Sequence, residues 1–179
     1  MTDITKLAQL ELEMKEWRHY LHSHPETAFQ EHNTAAYITQ RLESFGLKVH
    51  TGIGGTGLVA SLNRGIKPVK SIGLRADMDA LDIHEESEID YKSTVPRKMH
   101  ACGHDGHSAM LLGAAKYLAS NDNFHGTVHL FFSRLRKTRA VAEPWWRMDC
   151  FNASPWTPFS ACTAFQYCRR EVLLYGQDP

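Results

Sequence analysis

The strongest constraint on the fold is a series of short periodic apolar segments within the first 132 residues. Apolar side chains recur every three or four residues over 4–21, 31–45 and 106–120, a spacing that predicts amphipathic helices. Strand patterns occupy four further segments, at 47–51, 58–62, 71–76 and 127–132. Because helices alternate with strands along the chain, we predict an α/β fold in which helices cover a sheet.

Apolar stripes indicate which side of each predicted helix faces the core. In the first helix the stripe consists of Leu7, Leu10, Met14, Trp17 and Leu21. In the second it consists of Ala35, Ile38, Leu42 and Phe45, and in the third of Met110, Leu111, Ala114, Ala115 and Leu118. The second helix is followed by Gly46, a suitable C-terminal cap, and the third is predicted to begin at Gly106.

The periodicity ends at Phe132. Residues 133–179 contain three of the four tryptophans, three of the four cysteines and four of the seven prolines of the chain. This segment shows neither the alternation of a strand nor the spacing of an amphipathic helix. We therefore predict two parts, an α/β part over residues 1–132 and a tail over residues 133–179 that does not continue it.

Charge and composition argue against several classes of partner. The formal net charge is zero, with 20 basic and 20 acidic residues, so nothing favours binding to nucleic acid or to an anionic membrane. No apolar run approaches the length of about 18 residues that a membrane-spanning helix needs, and residues 1–16 do not resemble a signal peptide. We expect a cytoplasmic protein with reduced thiols, in which the four cysteines form no disulfide framework.

The segment Met99–His107 concentrates side chains that can bind metal ions. Cys102 and His104 are separated only by Gly103, which permits a tight turn, so a thiolate and an imidazole could converge on one divalent ion. A cysteine ligand must be deprotonated, and the metal itself achieves this. The alternative is a buried cysteine beside loop histidines that binds nothing.

A second polar segment, Gly73–Leu81, places two carboxylates at the end of a predicted strand. Asp77 and Asp79 are separated by one residue, at the end of the strand where α/β sheets form their binding crevices. Either carboxylate could orient metal ligands through hydrogen bonds. The alternative is an ordinary polar turn at the end of a strand.

Three motifs together resemble the M20 family of metallopeptidases. Leu21–Glu26 is similar to the family motif LHxHPE, Leu74–Leu81 to RADMDAL, and Met99–His107 to MHACGHDxH. The motifs occur in the order of the family, and the resemblance extends over about residues 15–132. It is strongest to the branch that contains hippurate hydrolases, N-acyl amino acid amidohydrolases and plant auxin-conjugate hydrolases.

This resemblance implies a fold and a cofactor. The fold is the N-terminal part of a zinc-peptidase-like catalytic domain, an α/β structure with a mixed sheet flanked by helices, without the lid domain that usually mediates dimerisation. The cofactor is a pair of divalent ions, for which zinc, manganese, nickel and cobalt all suit thiolate, imidazole and carboxylate ligands.

The resemblance also implies roles for individual residues. Cys102 and His104 match metal ligands, and Asp77 matches the acidic residue that supports the metal centre. Arg75 stands where other M20 branches have a ligand histidine, and His107 is expected to pack or hydrogen-bond beside the loop. The histidines of the first motif are expected to be structural: His22 and His24.

The chain departs from the family pattern directly after Phe132. The branch continues with Gln-Pro-Ala-Glu-Glu, whose glutamates supply the general base and a further metal ligand, whereas this chain continues with Ser133–Lys137. With permitted codons for these residues, one additional C before them makes the reading frame encode Gln-Pro-Ala-Glu-Glu. We therefore hypothesise a one-base deletion near Phe132, which makes the tail a frameshift product.

The implied activity is metal-dependent hydrolysis of the amide bond of N-acyl amino acids. The partner is then a small-molecule substrate, and homo-oligomers are expected only of the intact enzyme. Because the glutamate pair is missing, we expect this chain to be inactive as written.

Two alternatives remain open. The chain could be a non-catalytic fragment that binds a metal or a protein partner, with Trp145, Trp146 and Trp156 as anchors. It could also be a metal-free cysteine hydrolase in which Cys102 acts with a nearby histidine, either His104 or His107.

Overall fold

The computed structural model describes residues 3–65 and 70–134. Within these ranges the chain forms three helices and four strands, in the order α1 (Asp3–Ser23), α2 (His32–Ser44), β1 (Lys48–Ile53), β2 (Gly57–Arg64), β3 (Ser71–Asp77), α3 (His104–Ala119) and β4 (Gly126–Ser133). Each predicted helix and strand is present, with its ends shifted by a few residues, so the predicted α/β class is confirmed. Apart from Ser133 and Arg134, the predicted tail lies outside the described residues.

The four strands form one mixed sheet in the order β1-β2-β4-β3. β1 pairs antiparallel with β2, and β2 pairs antiparallel with β4. β3 pairs parallel with β4, from Ser71 opposite Thr127 to Asp77 opposite Ser133. A parallel pair requires a long crossover, and residues 78–125, which include α3, provide it. The mixed sheet implied by the family resemblance is therefore confirmed.

The burial of each strand follows from its place in the sheet. Seven of the eight residues of β4 are buried, which is typical of a strand that pairs on both sides. β1 lies at the edge of the sheet and exposes most of its side chains. Because β3 and β4 run in the same direction, both strands end on the same side of the sheet, and the residues that follow them lie close together there.

The helices cover the sheet and enclose a hydrophobic core. α1 packs mainly on α3, and α2 lies against β1 and α3. The fully buried side chains come from both helices and strands: Ile38, Leu42, Leu58, Leu112, Leu130 and Phe132. None of the helices within residues 3–65 and 70–134 has both the length and the apolar character needed to cross a lipid bilayer.

Two predicted core residues are exposed, and one predicted helix start is wrong. Leu7 is 51% exposed because α1, with 21 residues, is longer than its partner α3, with 16, so the first turns of α1 extend past it. Met110 is 46% exposed because it lies on the outer side of α3. α3 begins at His104 rather than at Gly106, since Gly103, with a φ of 75°, makes the turn that precedes the helix.

Candidate active site

The motif residues meet at the edge of the sheet where β3 and β4 end. The backbone N–H of Met78 donates to the carbonyl oxygen of Ser133 at 2.8 Å and joins the ends of the two strands. The hydroxyl of Ser108 in α3 donates to the carbonyl oxygen of Asp77 at 3.2 Å, which fixes the first turns of α3 beside the end of β3. Ligand sites of α/β proteins lie at this edge of the sheet.

His104, the first residue of α3, is buried and contacts Asp79. Its Nδ1 lies 2.8 Å from the carbonyl oxygen of Asp79 and 3.1 Å from the carboxylate Oδ1 of the same residue. Since a carbonyl oxygen can only accept, Nδ1 carries the proton, and Nε2 of the neutral ring presents a lone pair. Proteins commonly orient a metal-binding histidine by this arrangement.

The surroundings of His104 are negatively charged. Burial by itself lowers the pKa of His104, but the hydrogen bonds to Asp79 and the charges of Asp79 and Asp77 outweigh burial and raise that pKa above its ordinary value. A proton that the site attracts in this way would compete with a metal ion, because both bind the same lone pair of Nε2.

Asp77 forms an ion pair with Arg75. Arg75 also donates from Nε to Oγ of Ser133 at 2.8 Å and from Nη2 to the carbonyl oxygen of Arg134 at 3.0 Å. Burial raises the pKa of Asp77, and the charge of Arg75 opposes this increase. Of the two carboxylates in the motif, Asp79 therefore touches the candidate ligand His104, whereas Asp77 acts on it through its charge.

Cys102 is an exposed free thiol in the turn before α3. The alternative of a buried cysteine is therefore wrong. His107 stacks on His104 with the two ring centroids 5.5 Å apart, so it packs beside the loop as expected. In the described part of the chain no hydrogen bond joins Cys102 to either histidine, and a metal-free cysteine hydrolase gains no support from this geometry.

The described residues supply part of a metal site. No group of three or more His, Cys, Asp or Glu side chains in 3–65 and 70–134 is placed to hold an ion by itself. Cys102 offers an accessible sulfur and His104 an oriented nitrogen, a donor pair that suits divalent transition metals. Protein metal sites of this kind use three or four ligands, so a complete site requires donors from outside these ranges.

A cluster of charged residues includes Asp105, the residue after His104, and we refer to its four members, Arg18, His22, Glu85 and Asp105, as the ion cluster. Nδ1 of His22 lies 2.8 Å from Oδ2 of Asp105, and its Nε2 lies 3.0 Å from Oε1 of Glu85. Nε of Arg18 donates to the same Asp105 oxygen at 3.2 Å. His22, Glu85 and Asp105 are all buried.

The ion cluster favours charged side chains. Burial lowers the pKa of His22, but the two carboxylates outweigh burial and raise that pKa. Burial raises the pKa of Glu85, yet hydrogen bonds from Ser87, Ser93 and His22 lower it to about 2. Burial raises the pKa of Asp105, but the hydrogen bond with His22, the charge of His100 and the backbone N–H of Gly106 outweigh burial and lower that pKa. These shifts favour an imidazolium between two carboxylates.

Sequence reasoning identified only part of the ion cluster. His22 was expected to be structural, and its burial agrees with that expectation. His24, from the same motif, is exposed and its Nδ1 lies 2.8 Å from the carbonyl oxygen of Tyr20. The sequence contained no signal for Glu85, because its contact with His22 spans 63 positions and Glu85 belongs to no motif.

His100 is a further buried side chain of the segment Met99–His107. Neither of its ring nitrogens has a hydrogen-bond partner among the described residues. Burial lowers the pKa of His100 to about 4, so the ring is neutral at pH 7.

Known proteins resemble this chain in both sequence and structure. Residues 73–134 match the model of peptidase family M20/M25/M40. Hippurate hydrolase of Campylobacter jejuni is 48% identical over 132 residues, which are 74% of this chain and 34% of that protein. N-acyl-L-amino acid amidohydrolase of Geobacillus stearothermophilus is 44% identical over 117 residues, which are 65% of this chain and 31% of that protein. The chain thus spans about a third of the length of these relatives.

A solved structure extends the likeness to the fold. The YXEP protein of Bacillus subtilis is described as a dinuclear metal-binding peptidase from the M20 family. Its structure superposes with a TM-score of 0.66 at 35% identity, over 70% of this chain and 35% of that one. The motifs, the mixed sheet with its candidate site at the ends of the parallel strands, and these matches support one conclusion: the chain belongs to the M20 family of peptidases and carries part of its catalytic domain.

Proposed function

We propose that this chain is part of an enzyme that hydrolyses the amide bond of N-acyl amino acids with the help of two divalent ions. The names of the two curated relatives support the substrate class, and the description of the YXEP structure supports the pair of ions. The substrate is then a small molecule, without nucleic acid or membrane as a partner. We further infer that the complete enzyme acts in the cytoplasm and forms homo-oligomers.

The orientation of His104 is the observation that carries this proposal. Asp79 holds the proton of His104 on Nδ1, so that Nε2 can bind an ion. Cys102 and His104 would hold a zinc, manganese, nickel or cobalt ion together with ligands from the rest of the enzyme. Asp77 would support this site as a nearby, partly buried negative charge.

The chemistry divides between the ions and the protein. When bound, the two ions polarise the scissile carbonyl group and lower the pKa of the attacking water toward about 7. The protein side chains prepare the site for them: Asp77 and Asp79 provide negative charge that favours cations, and the exposure of Cys102 leaves its sulfur accessible. A general base must then take the proton of the water and pass it to the leaving amine.

We propose that the 179-residue chain itself does not catalyse this reaction. The expected general base belongs to a glutamate pair after Phe132, and no adjacent pair of acidic residues occurs there. A one-base deletion near Phe132 accounts for the change. Residues 135–179, which include Trp145, Trp146 and Trp156 of the partner-binding alternative, lie outside the described residues.

The test compares two proteins on hippurate and on an N-acetyl amino acid, with each divalent metal added in turn. One is the 179-residue chain, and the other is the product of the gene with a single C restored before the codon of Ser133. We expect hydrolysis by the restored protein alone, and its loss on addition of a chelator. An inactive restored protein would contradict the proposed activity, and chelator-insensitive hydrolysis by the 179-residue chain would favour the cysteine mechanism.

A further inference from the structure

We propose that His22 is a positioning residue for the metal site, because it holds together the two segments that carry the candidate ligands and their partner. One segment follows β3 and contains Asp79, and the other is the first turn of α3, which begins with His104. This inference rests on the proposed metal-binding function of the site.

His22 has one contact to each of these segments. Its Nε2 lies 3.0 Å from Glu85, which follows Asp79 in the segment after β3, and its Nδ1 lies 2.8 Å from Asp105, the residue next to His104. All three side chains are at most 8% exposed. His22 is therefore a buried link between the segment after β3, which contains Asp79, and the first turn of α3, which contains His104.

The segment between β3 and α3 depends on such links. Residues 78–103 form neither a helix nor a strand; one isolated bridge pairs Ala80 with Thr27, and another pairs Leu81 with Met99 inside the segment. Two backbone hydrogen bonds attach this segment to the last residue of α1 and the region just after it: Thr94 N–H to the carbonyl oxygen of Ser23 at 2.9 Å, and Ala80 N–H to that of Glu26 at 2.8 Å. Glu85 accepts from His22 on one oxygen and, on the other, from the backbone N–H of Ser93 at 2.6 Å.

A histidine suits this position between two carboxylates. A planar ring with a nitrogen at each side can donate to two carboxylates at once, and its positive charge compensates both. Without it, Glu85 and Asp105 would be buried with less compensation, and a buried carboxylate that loses its partner destabilises its surroundings strongly. We expect the two segments to move apart and the metal-binding geometry to loosen.

The experiment uses the 179-residue chain with Cd²⁺ as the probe. Affinity is read from the thiolate-to-metal charge-transfer absorption, after subtraction of the signal that remains in Cys102→Ser. Hydrogen exchange is measured for peptides that cover residues 100–107, and thermal unfolding is followed for each variant. The test variants are His22→Gln, which keeps one donor but not the charge, and His22→Leu, which removes both.

Two controls separate positioning from general stability. His24→Gln changes an exposed histidine of the same motif and is expected to leave every reading unchanged. Ile38→Ala removes a fully buried side chain in α2 and is expected to lower the unfolding temperature without changing Cd²⁺ affinity.

We expect His22→Gln to weaken Cd²⁺ binding by about tenfold or more and to speed exchange over residues 100–107, with a larger effect in His22→Leu. Unchanged affinity and exchange in both variants would overturn the proposal. The proposal would also be overturned if Ile38→Ala, at the same unfolding temperature as the His22 variants, lost as much Cd²⁺ affinity as they do. If the parent chain does not bind Cd²⁺ through Cys102, the proposed metal function fails, while exchange over residues 100–107 still decides whether His22 holds the turn in place.

Discussion

Hydrogen-bond partners decide what each side chain of the candidate site can do. Asp77 and Asp79 have the same functional group and lie two positions apart, yet the first pairs with Arg75 and the second contacts His104. Alternation along an extended chain does not distinguish them, because both project from the same side. The difference arises because β3 ends between them and the backbone turns toward α3.

The role of Asp79 predicts an effect on metal binding. Asp79→Ala removes the carboxylate that contacts His104 but keeps the backbone carbonyl that also accepts from Nδ1. We expect the affinity of the 179-residue chain for Zn²⁺ or Co²⁺ to fall by about tenfold, measured by calorimetry. Asp82→Ala, at an exposed position a few residues further on, is the matched control and should have no effect.

Buried histidines predict a loss of stability in acid. His129 in β4 has a pKa of about 4 because burial disfavours its charged form, whereas an unfolded histidine titrates near 6.5. The unfolded chain therefore binds the proton more readily, so the stability that neutral His129 provides is complete above pH 6.5 and is lost as the pH falls to about 4.

Urea unfolding at pH 7 and pH 4 tests this effect. The free energy of unfolding of His129→Gln should depend less on pH than that of the parent chain, by on the order of 2–3 kcal/mol over this interval. His50→Gln, at an exposed position of β1, should retain the pH dependence of the parent. Equal slopes for His129→Gln and the parent would show that this ring does not titrate abnormally.

At the scale of elements, two turns place the candidate site. Gly103 adopts a positive φ and lets α3 begin with His104, so that a candidate ligand becomes the first helical residue. Gly126 starts β4 with a φ of 142°, beside the backbone of Lys70 just before β3. The contact between Gly126 and Lys70 aligns the first residues of β3 and β4. The same register then places the last residues of the two strands side by side.

Gly126→Ala should therefore destabilise the sheet. A Cβ atom at this position would lie 2.8 Å from the carbonyl oxygen of Lys70, and the backbone φ is unfavourable for alanine. We expect a loss of about 2–3 kcal/mol in the free energy of unfolding, measured with urea. Gly46 also has a positive φ, but nothing lies within 4 Å of a Cβ added there. Gly46→Ala should therefore lower the free energy of unfolding by only about 1 kcal/mol. Equal losses in the two variants would show that the contact with Lys70 is unimportant.

At the scale of the whole molecule, the matched segment carries the candidate site at one end of its sheet. It spans about a third of its relatives, and its candidate ligands meet where β3 and β4 end. A family enzyme with two ions needs more donors than Cys102 and His104. The family resemblance leads us to expect them after β4, where this sequence has Ser133–Lys137 in place of the expected glutamate pair.

The deletion hypothesis predicts a definite result at the level of DNA. Sequencing the codons of Leu130–Arg139 from genomic template, together with the genes of close relatives, should reveal one base fewer in the frame that encodes this chain. Restoring that base should give codons for Gln-Pro-Ala-Glu-Glu directly after Phe132. An intact frame through Pro179, with no deletion relative to close relatives, would exclude the hypothesis.

Much of the fold and two candidate ligands followed from the sequence alone. Periodicity located all three helices and four strands of the described residues, because burial of one side imposes a repeat set by local backbone geometry. The spacing of Cys102 and His104 indicated a metal site because residues two positions apart on a tight turn stay close in any fold. The motif order was sufficient to identify the family.

Tertiary structure alone decided the partners of these residues. Cys102 is exposed, which its sequence neighbours did not predict. The contact of Asp79 with His104 spans 25 positions, and the contacts of His22 with Glu85 and Asp105 span 63 and 83 positions. No local repeat encodes such contacts, because they depend on how α1, the segment after β3 and α3 pack together. The sequence therefore determined which elements form and which side chains could bind a metal, and the packing of those elements decided how the side chains are held.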